Sequence, residues 1–184
     1  AEDYAYIINH SESKFCFVSD VEVYNKIKTI RKECPKLEEV YCFDQIKGCQ
    51  HWTKVLELGR DAAHQPKVQA IKESVLPLDL ATIIYTSGTT GTPKGVMLSH
   101  KNIVSNVFAA QKRLPLETGK AVALSFLPLC HIYERMLIYL YQVTSTEVHF
   151  AESLETIGDN LNEVNPDVMT AVPRLLEKLY YKIY

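Results

Sequence analysis

Hydrophobic and polar positions alternate along this chain in two periods. Phe15, Cys16, Phe17 and Val18 form a nearly continuous apolar run, which predicts a short buried strand over 13–18. Asp20 stands where a helix N-cap belongs. Val23, Ile27 and Ile30 follow at helical spacing within 21–32, and Pro35 lies just beyond. Residues 40–43 are again apolar and β-prone. A turn is expected at 47–50, a short helix at 52–59, and a polar surface stretch at 65–77. That stretch is the best place for a linker, and a long loop within one domain fits equally well. A strand is predicted over 81–85, then a loop over 86–95, then a helix over 100–112 capped by Ser99. The rest reads as strand 121–127, helix 134–141, strand 147–150, helix 155–163, strand 168–171 and helix 173–184, with Pro173 in the last helix's first turn.

Strands therefore interleave with helices, and the strands are apolar on both faces. This predicts an α/β fold with a mainly parallel sheet flanked by helices on both faces. Composition agrees and removes other classes. The chain has 184 residues, 47% of them hydrophobic, with 20 Lys plus Arg against 22 Asp plus Glu for a formal charge of −2. Intrinsic disorder requires less apolar content and more net charge. A near-neutral chain is also poorly suited to nucleic acid, whose binding runs on phosphate neutralisation. No apolar run reaches the roughly 18 residues of a membrane span. The five cysteines are odd in number and contain no C-x2-C pair, which predicts reduced thiols in a cytoplasmic protein. The acidic, polar first residues do not form a signal peptide.

The chemistry concentrates in Tyr85-Thr86-Ser87-Gly88-Thr89-Thr90-Gly91-Thr92-Pro93-Lys94-Gly95. Here hydroxyl residues, glycines and one lysine follow a buried strand. Glycines let the backbone approach a ligand closely and take positive φ. Exposed N–H groups and hydroxyls can then surround phosphate oxygens while Lys94 adds a mobile cation. The loop is neither a Walker A motif, since Pro93 precedes the lysine and Gly95 follows it, nor G-x-G-x-x-G. On spacing alone, phosphate binding and an unliganded Thr-rich turn both remain open.

Residues 85–95 resemble, at essentially every position, the phosphate-binding signature of the AMP-forming acyl-CoA synthetase, luciferase and adenylation-domain superfamily. The following Val96-Met97-Leu98-Ser99-His100-Lys101-Asn102 continues the likeness. Leu127-Pro128-Leu129-Cys130-His131-Ile132-Tyr133-Glu134-Arg135 and Val172-Pro173-Arg174-Leu175-Leu176-Glu177-Lys178 are similar to blocks of its long-chain fatty acid branch. So is Asn9-His10-Ser11-Glu12-Ser13-Lys14 ahead of its apolar strand.

The resemblance implies a fatty acid–CoA ligase. Fatty acid and ATP give acyl-adenylate and pyrophosphate, and CoA then displaces AMP. It implies that Thr86, Ser87, Gly88, Thr89, Thr90, Gly91 and Lys94 hold the β- and γ-phosphates, and that Thr86 lies near a Mg²⁺ ion. It further places His131 beside the acyl and adenylate site as the candidate catalytic residue, against the plainer reading of a His that only satisfies backbone at a strand-to-helix junction. Glu134, three residues on, reads as a structural ion pair or cap with Arg135 rather than a metal ligand, since two ligands make no metal site.

The superfamily's Tyr-Gly-x-Thr-Glu motif, its ribose-binding Asp region, its hinge and its C-terminal domain find no match here. The chain also begins without Met and ends at Tyr184 inside a helical pattern. Residues 1–184 are therefore expected to be part of an N-terminal AMP-binding domain, inactive in isolation and prone to self-association through uncovered apolar edges. The expected ligands are a long-chain fatty acid, ATP, Mg²⁺ and CoA. The expected location is cytoplasmic, with peripheral membrane contact of the parent left open. An adenylation domain for another carboxylic or amino acid, and a non-catalytic nucleotide-binding scaffold, are the alternative readings. Segment 141–147 lacks the glycine with which the long-chain branch turns into its next strand.

Overall fold

Acidic Glu2 and Asp3 in the first turn favour a helix by facing its positive end. Helix α1 (Glu2–His10) forms there and buries Ala5 and Ile8, an element that the apolar pattern did not announce. The computed structural model describes residues 2–87, 91–173, 176, 177 and 180. Two compact units divide the chain between Met97 and Leu98.

In the first unit, β1 (Phe15–Val18) leads into α2 (Val21–Ile30). The Asp20 carboxylate caps α2 by accepting from the Val23 N–H at 3.0 Å. A 3-10 turn at Arg31–Glu33 precedes β2 (Glu39–Cys42). β1 and β2 are parallel, with Cys16 opposite Val40 and Val18 opposite Cys42. Alternation puts these four residues on one face, where they pack with Ile8, Ile27, Ile30, Cys34 and Leu37. The other face carries a row of aromatic rings. Phe17 stacks on Tyr41 at 5.2 Å, and Phe43 lies 6.0 Å from Trp52. Phe15, Phe17 and Phe43 are each about half exposed, so this sheet is covered on one face where two were expected.

The turn expected at 47–50 forms around Gly48, whose φ of 85° needs glycine. It leads into β3 (Gln50–His51), which extends the sheet in parallel beside β2. α3 (Thr53–Leu58) ends at Gly59. The candidate linker at 65–77 is instead mostly helical. A 3-10 turn at Ala62–His64 runs into α4 (Gln65–Ser74), which starts with Pro66 in its first turn and buries none of its residues. Its only large apolar side chains, Val68 and Ile71, are more than half exposed, which explains why the stretch reads as polar surface. β4 (Leu80–Thr86) pairs with β5 (Lys94–Ser99) in a separate two-stranded sheet. The predicted loop is thus shorter than 86–95: both of its ends are strand.

The second unit opens with α5 (His100–Arg113). Ser99 Oγ accepts from the Asn102 N–H, and Asn102 Oδ1 accepts from the Ser99 N–H, a reciprocal cap. β6 (Val122–Ser125), α6 (Ile132–Val143), β7 (Glu147–Phe150), α7 (Ile157–Val164) and β8 (Val168–Met169) follow. The strand order is β7-β6-β8, all parallel. Ala123 is opposite Val148 and Val168, and these three pack with Val107 of α5 and Leu137, Leu140 and Tyr141 of α6. Leu124 points to the other face by alternation, is 1% exposed, and lies in the strand against which α7 packs. This sheet has helices on both faces, as predicted. The parallel α/β character holds in the two three-stranded sheets, and the strands are divided among three small sheets rather than one, with β4 and β5 forming a pair of their own. Of the helix predicted over 173–184, residues 173, 176, 177 and 180 are helical and the rest lies outside the described residues.

Candidate functional site

Strand β4 ends on Thr86 and strand β5 begins on Lys94, so the strand pair holds both ends of the Ser/Gly/Thr loop. Thr86, Ser87 and Lys94 are exposed. Gly91 has φ of 83° with open space around it. Glycine is needed there for its backbone conformation rather than for room. Lys94 has no ion-pair partner among the described residues, so its ammonium is available to an anion. Gly88, Thr89 and Thr90 lie outside the described residues.

The strand pair has a tight seam. A Cβ on Gly95 would meet Ile83 Cγ2 at 2.8 Å and the Tyr85 ring at 3.3 Å. The residue before Thr86 therefore lies against the residue after Lys94. The Tyr85 hydroxyl is joined to His10 Nδ1 by a hydrogen bond of 2.7 Å. Burial pushes the Tyr85 phenol above its ordinary range, while a hydrogen bond to Ser11 works in the opposite direction. Nothing in the sequence pointed to this pairing, because its partners are 75 residues apart and obey no local period.

His131 is the N-cap residue of α6, and it caps with backbone alone. Its N–H donates to the Pro128 carbonyl at 3.0 Å, and its carbonyl accepts from the Arg135 N–H at 3.2 Å. The imidazole is exposed and makes no hydrogen bond to any described residue. It stands at the C-terminal side of β6, where ligands of parallel sheets gather.

Glu134 differs from expectation. It is 0% exposed, accepting from Ser125 Oγ at 2.5 Å and from Thr170 Oγ1 at 2.8 Å. Ser125 ends β6, and Thr170 directly follows β8. The carboxyl group thus ties together the C-terminal ends of two neighbouring strands. It is structural, as expected, but its partners are hydroxyls rather than Arg135, whose Nε–H donates to the Leu129 carbonyl. The missing turn glycine at 141–147 is replaced by Ser145, which takes the left-handed conformation at φ of 51°.

The loop and the His131 helix belong to different units. Among the described residues no group of three or more His, Cys, Asp or Glu could hold a metal ion, and no helix is long and apolar enough to cross a membrane.

The family model for AMP-binding enzymes matches residues 1–182. The chain is 33% identical over 195 residues to the long-chain-fatty-acid–CoA ligase ACSBG2 of Xenopus laevis, with 100% of this chain and 26% of that protein covered. Among solved structures, a fatty acyl CoA synthetase of Mycobacterium tuberculosis superposes with a TM-score of 0.75 at 18% identity, over 96% of this chain and 32% of that one. ATP-bound MatB of Rhodopseudomonas palustris superposes with a TM-score of 0.66 at 23% identity, over 96% and 33%. The chain spans about a quarter of the length of its curated relative. With the family model running over nearly every residue, and the glycine–hydroxyl–lysine segment bounded by two paired strands, this chain belongs to the AMP-binding enzyme family.

Proposed function

We propose that this chain is the triphosphate-binding part of an AMP-forming long-chain fatty acid–CoA ligase. The observation that carries the reading is the loop between Thr86 and Lys94: exposed hydroxyls, a glycine at positive φ and a lysine with no ion-pair partner among the described residues, fastened by strands at both ends. The relative's printed activity, a long-chain-fatty-acid–CoA ligase, supports the acid. The neighbour solved with ATP supports the nucleotide.

The reaction suits these residues. A fatty carboxylate, with a pKa close to that of Glu at about 4.3, is ionised at neutral pH and needs no general base. It attacks the α-phosphorus of ATP, the bond to the β-phosphate oxygen breaks, and pyrophosphate leaves. The CoA thiol then attacks the acyl carbon and AMP departs. The protein's task in the first step is to hold the leaving pyrophosphate in line and to balance its growing charge. Thr86, Ser87, Gly88, Thr89, Thr90, Gly91 and Lys94 do this in our reading, by N–H groups, hydroxyls and one cation. The exposed Thr86 hydroxyl, at the end of β4, is the side chain we assign to Mg²⁺, which supplies further positive charge to the phosphates. His131 serves the acyl and adenylate end with its exposed imidazole.

Product analysis tests the proposal. The intact protein that carries this chain, given palmitate, ATP and CoA, is expected to form palmitoyl-CoA, AMP and pyrophosphate in equal amounts. ADP and phosphate as products, or no acyl-CoA, would contradict it.

A further inference from the structure

We propose that His10 and Tyr85 are positioning residues that set the geometry of the triphosphate loop from outside it. The proposal rests on the reading that this loop binds ATP. The Tyr85 ring is bracketed on two sides. On one, its hydroxyl is bonded at 2.7 Å to His10, the last residue of α1, with the two rings edge-on at 5.8 Å. His10 is itself stacked on Tyr6 at 5.2 Å, so the imidazole is held by its own helix. On the other side, the ring lies against the bare Cα of Gly95 in β5. Tyr85 directly precedes Thr86, and Gly95 directly follows Lys94. One aromatic ring, anchored to a helix, therefore fixes the approach of both ends of the loop and the spacing between the Thr86 hydroxyl and the Lys94 ammonium.

Neither His10 nor Tyr85 needs to touch ATP for this effect. Removing the anchor frees the ring to shift along β5. The loop then samples spacings in which Thr86 and Lys94 do not reach the same phosphates, and ATP affinity falls by the fraction of time that the correct spacing is lost. The acid site is not involved.

The test uses the intact protein with three variants. Tyr85→Phe keeps the ring and deletes the hydroxyl. His10→Leu deletes the other partner on an exposed helix end, where folding is not at risk. His10→Asn returns an amide oxygen near the position of Nδ1. Loss of one neutral hydrogen bond predicts that Tyr85→Phe and His10→Leu each raise the KM for ATP and the Kd of a fluorescent ATP analogue roughly 3- to 10-fold. The KM for the fatty acid should stay at its wild-type value, the Tm should fall by no more than about 2–4 °C, and His10→Asn should recover most of the loss in ATP affinity. Wild-type nucleotide affinity in both deletion variants would overturn the proposal. So would parallel changes in both KM values that follow a fall in Tm, since that is what a merely structural contact produces. A wild-type protein that binds ATP but activates no fatty acid would sink the substrate reading alone, and the analogue Kd would still decide this one. A wild-type protein that binds no ATP overturns both.

Discussion

Tyr141 permits a stability prediction with an unusual sign. Its side chain is 1% exposed, and its hydroxyl has no hydrogen-bond partner among the described residues. A buried hydroxyl left unpaired costs roughly 1–3 kcal/mol. Tyr141→Phe removes that oxygen and keeps the ring packed among Val107, Ala123, Leu137 and Leu140. Lost dispersion around the oxygen offsets part of the gain, so the variant should be more stable by about 1 kcal/mol. For a chain of this length that is a Tm rise of roughly 2–4 °C. The effect should grow in alkali. Burial, then the nearby Glu134 carboxyl and Tyr133, push the Tyr141 phenol up to about 12, against about 10 in an unfolded chain. The folded state thus holds this proton more tightly than the unfolded state. The linked stability is complete below pH 10 and is lost as the pH rises toward 12. A difference of two units corresponds to roughly 2.7 kcal/mol. The Phe variant has no such loss, and the remaining tyrosines titrate in both proteins and cancel. Urea denaturation followed by circular dichroism between pH 7 and pH 12 measures both effects. The reasoning fails if Tyr141→Phe is less stable than wild type by 1 kcal/mol or more at neutral pH. It also fails if the gap between the two proteins stays constant from pH 10 to 12.

Other changes have definite directions. Ser145→Gly should stabilise the protein by roughly 0.5–1 kcal/mol in the same denaturation assay, because Ser145 occupies left-handed space at φ of 51°. Thr170→Val removes one of the two hydroxyls that hold the buried Glu134 carboxyl, and should cost roughly 1.5–3 kcal/mol. Lys94→Ala should weaken Mg·ATP binding in calorimetry by about tenfold or more, the loss of one charge-assisted contact, with the Tm unchanged because the side chain is exposed. His131→Ala should lower turnover without moving the Tm, since the imidazole supports no other described group; a fall in Tm with full activity would make it structural.

Where an element's signal is local, the sequence carried it. The Asp20 and Ser99 caps, the strand at 147–150 and the loop bounded by Thr86 and Lys94 all depend on neighbours within a few residues. Signals that cross the chain were silent. The Tyr85–His10 bond, the Ser125–Glu134–Thr170 tie and the opposition of Gly95 to Tyr85 join residues that no period relates. Glu134 shows the difference well: its helical position was legible, but its partners come from two strands that become neighbours only when the sheet forms. α4 was missed for another reason. Its two large apolar residues, Val68 and Ile71, are too few to mark a helical stripe, and neither is buried. Ser145 shows a turn kept without its usual glycine, a substitution that a pattern match registers as a departure and the backbone absorbs as strain.

The central claim is that this loop serves carboxylate activation at the α-phosphorus of ATP, for a long-chain fatty acid. Exchange of labelled pyrophosphate into ATP by the intact protein, across a panel of acids, reads that step alone. The account predicts exchange that requires a long-chain fatty acid, needs no CoA, and falls sharply in Lys94→Ala. Exchange supported only by amino acids, or none with any acid, would contradict it.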